Sequence, residues 1–109
     1  MDIVIPWEGE AYAIENLDLT SDTADGPTAS NLKDSNDLPV KFVLVTVTGN
    51  TSHVTMHGTA PTSSTGTNIG VAIPANSSLV VWGYNSIKNL SFINQTAGSD
   101  AIVKIHYFS

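Results

Sequence analysis

The chain lacks cysteine and arginine altogether, and four lysines are its only permanently cationic side chains among 109 residues. The absence of cysteine excludes disulfides, thiolate metal sites and a cysteine nucleophile. Ten acidic residues bring the net charge to −6. Because phosphate binding needs clustered cations, this composition argues strongly against a nucleic-acid partner.

Long apolar segments are also missing. No apolar run approaches the ~20 residues that are needed to span a bilayer, so we expect no membrane partner. The first residues show neither the basic stretch nor the apolar core of a secretion signal. We therefore expect a protein that is made in a cytosol and either stays there or is assembled there into something larger.

The few charges are unevenly distributed. Residues 1–37 contain nine acids and one lysine, a net of −8, whereas residues 38–109 contain one acid and three lysines, a net of +2. The acidic N-terminal third can complement a basic protein surface, or it can serve solubility alone.

What the chain does contain is a repeated strand pattern. Residues 40–48 are rich in β-branched side chains and apolar on both faces, and alternation continues in later segments that are separated by Gly, Asn and Pro turns. We predict that residues 52–57 form a hairpin with residues 40–48 and expose His53, Thr55 and His57 on a solvated face. The further predicted strands cover residues 68–73, 78–83, 87–94 and 101–108, the last of them inside a sheet. Residues 11–19 fit neither the strand period nor the helix period well, and alternation over residues 17–19 favours a strand.

This pattern, with no convincing amphipathic helix, predicts an all-β fold: a β-sandwich or jelly-roll-like domain with an extended N-terminal arm. Residues 1–10 are assigned to the arm and residues 11–109 to a single domain. Residues 20–38 form a long acidic loop of Ser, Thr, Asp, Asn, Gly and Pro. A structureless stretch of that length is typical of a functional loop or a mobile segment.

Metal binding has two candidate sets of ligands. His53 and His57 would lie about 13 Å apart on a strand, and His106 could join one of them only through the fold, so surface histidines are the favoured interpretation. The aspartates in and beside the acidic loop supply the oxygen ligands that calcium prefers, but their spacing matches no EF-hand. We predict no metal and no cofactor.

Catalysis is not indicated either. Serines and histidines are present, but no Gly-x-Ser-x-Gly nucleophile elbow occurs. Nearly all acids lie in the poorly patterned N-terminal third rather than in paired positions within strands. We therefore predict no catalytic residues and a protein that is not an enzyme.

Three aromatic residues suggest binding surfaces. Trp7, Trp82 and Tyr84 could stack on sugars, as in a carbohydrate-binding module. Packing of Trp82 in the core or in a subunit interface is the favoured alternative. Trp7 follows Pro6 on the arm and could anchor it in a partner's pocket.

The second half of the chain resembles a family of small tailed-bacteriophage virion proteins that decorate or cement the capsid. The resemblance rests on Gly58-Thr-Ala-Pro-Thr-Ser-Ser-Thr-Gly66, the turn Ile73-Pro74-Ala75, the segment Asn89-Leu-Ser-Phe-Ile93 and the strand from Ala101 to Phe108. The order of these motifs carries it. The absence of arginine and the acidic loop at 20–38 depart from the family's pattern.

The resemblance implies a β-sandwich or jelly-roll subunit, commonly a homotrimer, that binds the major capsid protein on the exterior of the virion. A carbohydrate-binding module and a fibre or tail structural module remain the alternatives. We expect the arm to contact the partner by strand addition or by insertion of Trp7, and the acidic loop to contribute charge. The predicted partner-binding residues are Ile3, Ile5, Trp7, Glu8, Asp22 and Asp25.

Overall fold

The structure is a computed structural model that describes residues 10–20, 23–62, 68–96 and 98–109. Within these residues, seven strands account for most of the regular structure, with one α-helical turn and one 3₁₀ turn. The strands are β1 (Ala11–Asp18), β2 (Phe42–Thr48), β3 (Ser52–Thr55), β4 (Val71–Ile73), β5 (Ser77–Trp82), β6 (Ser91–Asn94) and β7 (Ile102–Phe108); α1 spans Tyr84–Lys88 and the 3₁₀ turn spans Ala29–Leu32.

The strands form two antiparallel sheets. The larger sheet has the order β1-β7-β2-β5 and the smaller sheet has the order β4-β3-β6. Buried side chains from both sheets belong to one apolar cluster, so the predicted all-β, sandwich-like fold is confirmed. The last strand lies inside a sheet, as predicted, and its neighbours are β1 and β2.

Strict alternation along β2 explains how the core is filled. Val43, Val45 and Val47 are completely buried, and they lie opposite Tyr107, Ile105 and Val103 of β7, which are completely buried as well. Burying a side chain of this size stabilises the fold by about 1.5–3 kcal/mol. The alternate residues of both strands must therefore lie on the outer face of the larger sheet.

The predicted hairpin between β2 and β3 is wrong. At Gly49, whose φ is 83°, the chain leaves the larger sheet, and β3 pairs with β4 and β6 in the smaller one. The predicted solvated face also differs, since His53 and Thr55 are buried and His57 alone of the three is exposed. A Gly-Asn turn marks a change of direction, but it does not specify which strand the chain meets next.

Residues 87–94 were predicted as one strand, and this is corrected to a helical turn followed by β6. The amide of Ile87 donates to the carbonyl of Gly83 at 3.0 Å, and the Ile87 side chain is completely buried. The α1 turn therefore places the Ile87 side chain in the core, which a strand beginning at this point would not do.

The acidic loop between β1 and β2 is tied to the sandwich along its described residues. Asp25 and Phe92 exchange two backbone hydrogen bonds, at 2.9 and 2.7 Å, which extends the edge of the smaller sheet beyond β6. The 3₁₀ turn that follows buries Leu32 in the core. Long-range pairing of this kind is not visible in the local composition of the loop.

None of the helical segments in the described ranges has the length and apolarity required to cross a membrane.

Candidate binding surface

A row of aromatic side chains crosses the outer face of the larger sheet. Cross-strand register places Phe108 of β7 and Trp82 of β5 on either side of Phe42 of β2. The Phe42 and Phe108 rings stack with centroids 4.4 Å apart and an interplanar angle of 10°, and the Phe42 and Trp82 centroids are 4.8 Å apart. We call these three residues the aromatic row.

A second apolar row lies directly beside the first. Leu44 faces Val80 of β5 on one side and His106 of β7 on the other, and Ile14 of β1 faces His106. The two rows together form the outer apolar face: Phe42, Trp82, Phe108, Ile14, Leu44, Val80 and His106. The next row along the sheet is polar, with Lys104, Thr46 and Ser78 in register.

Exposure of this face is concentrated at its two sides. Trp82 is 55% exposed and Ile14 is 62% exposed, whereas Phe42 between its flanking rings is 1% exposed. Between these two sides, Leu44, Val80 and His106 are half-buried, so Trp82 and Ile14 are the accessible parts of the face. Trp82 is therefore not a core residue, and its position is that of an interface aromatic.

The opposite side of the larger sheet holds a carboxylate network centred on Glu15 of β1. Its carboxylate accepts hydrogen bonds from the Tyr107 hydroxyl at 2.6 Å, the Thr28 amide at 3.0 Å and the Asn31 side-chain amide at 3.1 Å. The Thr28 hydroxyl is a further donor. The Tyr12 hydroxyl donates to the Asn31 carbonyl at 2.6 Å. The network fastens residues 28–31 to β1.

The network changes the acidity of its members. Partial burial acts to raise the pKa of Glu15, but hydrogen bonds from Thr28, Tyr107 and Asn31 outweigh it and hold the pKa below the usual 4.5. Burial, followed by the hydrogen bond to Glu15, raises the pKa of Tyr107. Burial and the charge of Asp34 raise the pKa of Tyr12 to about 12. At neutral pH the site therefore holds one carboxylate and two neutral phenols.

The Glu15 carboxylate accepts hydrogen bonds from the Tyr107 hydroxyl, the Asn31 side-chain amide, and both the amide and the hydroxyl of Thr28. A carboxylate that is saturated in this way serves as a structural anchor rather than as a free general base or ligand.

The residues predicted to bind a partner fall outside the outer apolar face or outside the described ranges. Asp25 is exposed, but it lies at the edge of the smaller sheet, where its carboxylate accepts a hydrogen bond from the Gly26 amide at 2.8 Å. The remaining predicted binding residues lie outside the described residues: Ile3, Ile5, Trp7, Glu8 and Asp22.

The residues that sequence reasoning missed are the partners of Trp82. Alternation already placed Phe42 and Leu44 on one face of β2, and Phe108 and His106 on one face of β7. Only the strand order shows that these two strand faces lie on the same side of the larger sheet, and that β5 adds Trp82 to that side. The sequence signal that could have indicated this surface was the apolar character of both faces of β2.

The three histidines are not brought together. His53 is 5% exposed in the smaller sheet, and neither of its ring nitrogens has a hydrogen-bond partner among the described residues. His106 lies on the larger sheet and packs against Phe108. Across the described ranges, no group of three or more His, Asp or Glu side chains is arranged to hold a metal ion.

The hydroxyl-rich segment Gly58–Gly66 lies between β3 and β4 in the sequence, and its residues 63–66 are outside the described ranges. Its first half is fixed by side chains on both flanks. The Thr55 hydroxyl donates to the Thr59 carbonyl at 2.7 Å, and the Asn68 side-chain amide donates to the Ala60 carbonyl at 2.7 Å. Such local bonds stiffen a turn, as is expected of an inter-strand connection.

Comparison with known proteins identifies no relative: no family model, no curated protein and no solved structure matches the chain.

Proposed function

We propose that this chain is a structural protein of a tailed-bacteriophage virion, a capsid decoration or cement protein that binds the major capsid protein. The observation that carries the proposal is the outer apolar face, with Trp82 at its accessible side. A cementing subunit needs a rigid body and a surface that buries apolar area against neighbours. The sandwich supplies the body, and the aromatic row supplies the kind of side chain that dominates binding energy at protein interfaces.

In this function, several copies of the chain would bind together at each position on the capsid. A homotrimer on the capsid exterior, as the resemblance implies, would multiply weak contacts through linkage of its subunits. Cyclic symmetry would present the same contacts to each neighbouring capsid subunit. The uneven charge, with a net of −8 in residues 1–37, would favour a shell surface that is basic where the arm and loop approach it.

Electron microscopy of the virions that contain this chain tests the proposal. We expect density for a small β-sandwich on the outside of the head, at a copy number that is a fixed fraction of the major capsid protein. Absence of the chain from purified virions, or density confined to the tail, would contradict the capsid role.

A second candidate is a carbohydrate-binding or fibre module, and the exposure of Trp82 is the observation that favours it. An accessible indole can stack on a pyranose ring, whereas a core tryptophan cannot. This candidate predicts glycan-array binding that disappears in Trp82→Ala and persists in Val71→Ala, an apolar position on the smaller sheet that is even more exposed. Array binding by neither wild type nor variant would eliminate it.

A further inference from the structure

The outer apolar face ends at a sheet edge with which no strand of the described residues pairs. The β5 strand is the last in the order β1-β7-β2-β5, and no strand within the described ranges pairs with its free side. Its sequence Ser-Ser-Leu-Val-Val-Trp contains no charge and no proline. Natural sheets usually protect such an edge with charges, prolines or bulges, so an unprotected edge is a site for pairing with another chain.

The backbone groups that face this free side can be identified. The Gly83 amide donates to the Lys41 carbonyl at 3.1 Å, so the ladder to β2 uses residue 83. In an antiparallel pair, every second residue bonds to the same neighbour. Val81 and Leu79 therefore also bond to β2, and the N–H and C=O groups of Val80 and Trp82 point to the free side.

The side chains of these same residues belong to the outer apolar face. An added strand would thus find backbone donors and acceptors at Val80 and Trp82, and its side chains on that face would extend the two apolar rows. The matching ligand is a short extended peptide with apolar residues at alternate positions and a free donor at each of them.

The N-terminal segment of this chain has that pattern. Ile3, Ile5 and Trp7 are alternate residues, so in an extended strand they share one face. Pro6 has no N–H and must point away from the strand it pairs with, which leaves Ile3, Ile5 and Trp7 as the residues that bond to the ladder. The need for apolar side chains on one face and the need for backbone donors that face the ladder are thus met by the same three residues.

The segment cannot reach this edge within its own molecule. Glu10 exchanges backbone hydrogen bonds of 3.0 Å with Ser109, which fixes it beside β7 on the opposite side of the sheet. A strand added outside β5 lies four strand spacings from β1, about 19 Å. The three residues from Glu10 to Trp7 span at most about 11 Å, so the occupant must be another copy of the chain.

We propose that residues 3–7 of one molecule add as a strand to the free edge of β5 in the next molecule, with Trp7 extending the aromatic row beside Trp82. The contact is head-to-tail, because each molecule contributes an arm to one neighbour and an edge to another. Such contacts close into rings when the rotation permits. This inference does not rest on the capsid role, since it concerns only copies of this chain.

Sedimentation of the purified full chain and of variants tests the arm and the edge separately. Wild type is expected to assemble with rising concentration between about 1 and 100 μM. Ile5→Lys in the arm and Val80→Pro at the edge should each weaken assembly by at least about tenfold. Val80 makes no ladder bond to β2, so proline there blocks the added strand while leaving the sheet paired. Val71→Lys, which places a charge on the exposed edge of the smaller sheet, is the matched control and should assemble like wild type.

Mixing the two defective variants identifies the geometry. The Val80→Pro molecule retains its arm and the Ile5→Lys molecule retains its edge, so the mixture should form a one-to-one dimer that neither forms alone. If thermal melting shows that Val80→Pro has lost the fold, Trp82→Lys replaces it as the edge variant. Wild type that stays monomeric throughout, assembly of Ile5→Lys equal to that of wild type, or no dimer on mixing would each overturn the proposal.

Discussion

The two terminal strands of the larger sheet, β1 and β5, differ in what is bound to them. Beside β1, the segment 28–31 is held by a charged side chain whose hydrogen bonds are all made within the molecule. Beside β5, within the described ranges, no segment is held, and the strand that forms the edge has no charge. The terminal strand β1 therefore anchors a segment of its own molecule through a side chain, whereas β5 offers apolar side chains and uncharged backbone.

The largest expected effect is the loss of the β1 anchor. Glu15→Ala should lower the free energy of unfolding by about 2–4 kcal/mol, because the buried Tyr107 hydroxyl and the segment 28–31 lose their acceptor together. Urea unfolding at neutral pH measures this change. Glu10→Ala removes an exposed carboxylate just before the same strand and should stay within about 0.5 kcal/mol of wild type. Equal stabilities for the two variants would contradict the anchoring role of Glu15.

Acid should remove part of the same stabilisation. Because the pKa of Glu15 in the folded protein lies below its usual 4.5, the carboxylate stabilises the fold above that pH, and this contribution is lost as the pH falls through the lowered value. Melting temperatures of wild type and Glu15→Gln, followed from about pH 7 to about pH 3, should therefore converge on the acid side. A gap that stays constant over this range would show that the charge of Glu15 contributes nothing.

The smallest effect on stability is expected at the β5 edge. Trp82→Ser should destabilise the monomer by about 1 kcal/mol, chiefly through the lost ring contact with Phe42. Measured at a concentration where wild type is monomeric, its unfolding midpoint should lie close to that of Val71→Ser. A loss of about 3 kcal/mol or more, typical of truncating a buried aromatic, would show that Trp82 belongs to the core after all.

The alternation of side chains was sufficient to predict the central strands. Residues 40–48 and 101–108 carry strong period-two patterns of β-branched and aromatic residues, and these became β2 and β7 near the predicted limits. Their pairing in the middle of one sheet satisfies the apolar character of both faces of β2. Local patterning works here because the burial of each strand is uniform along its length.

Features that depend on contacts between distant residues were not predictable in the same way. Nothing near Glu15 in sequence indicates that Thr28 and Asn31 will bond to it, so the described part of the acidic loop is more tightly fixed than its composition suggests. The α1 turn is only five residues long and has weak helix formers, and its stability depends on burying Ile87. The outer apolar face required the strand order, which no single strand encodes.

The central position of β7 also has a consequence for how the protein is made. Ala11 of β1 pairs with Phe108, and Phe42 of β2 pairs with the same residue. The larger sheet therefore lacks the strand that joins β1 to β2 until residues 102–108 have been synthesised. Until then β1 has no partner strand, and the apolar faces of β1 and β2 stay open. Long-range pairing of this kind is slow and exposes the nascent chain to aggregation. The larger sheet can therefore assemble only after β7 has been made, and an excess of chaperone should raise the soluble yield more than a slower rate of translation.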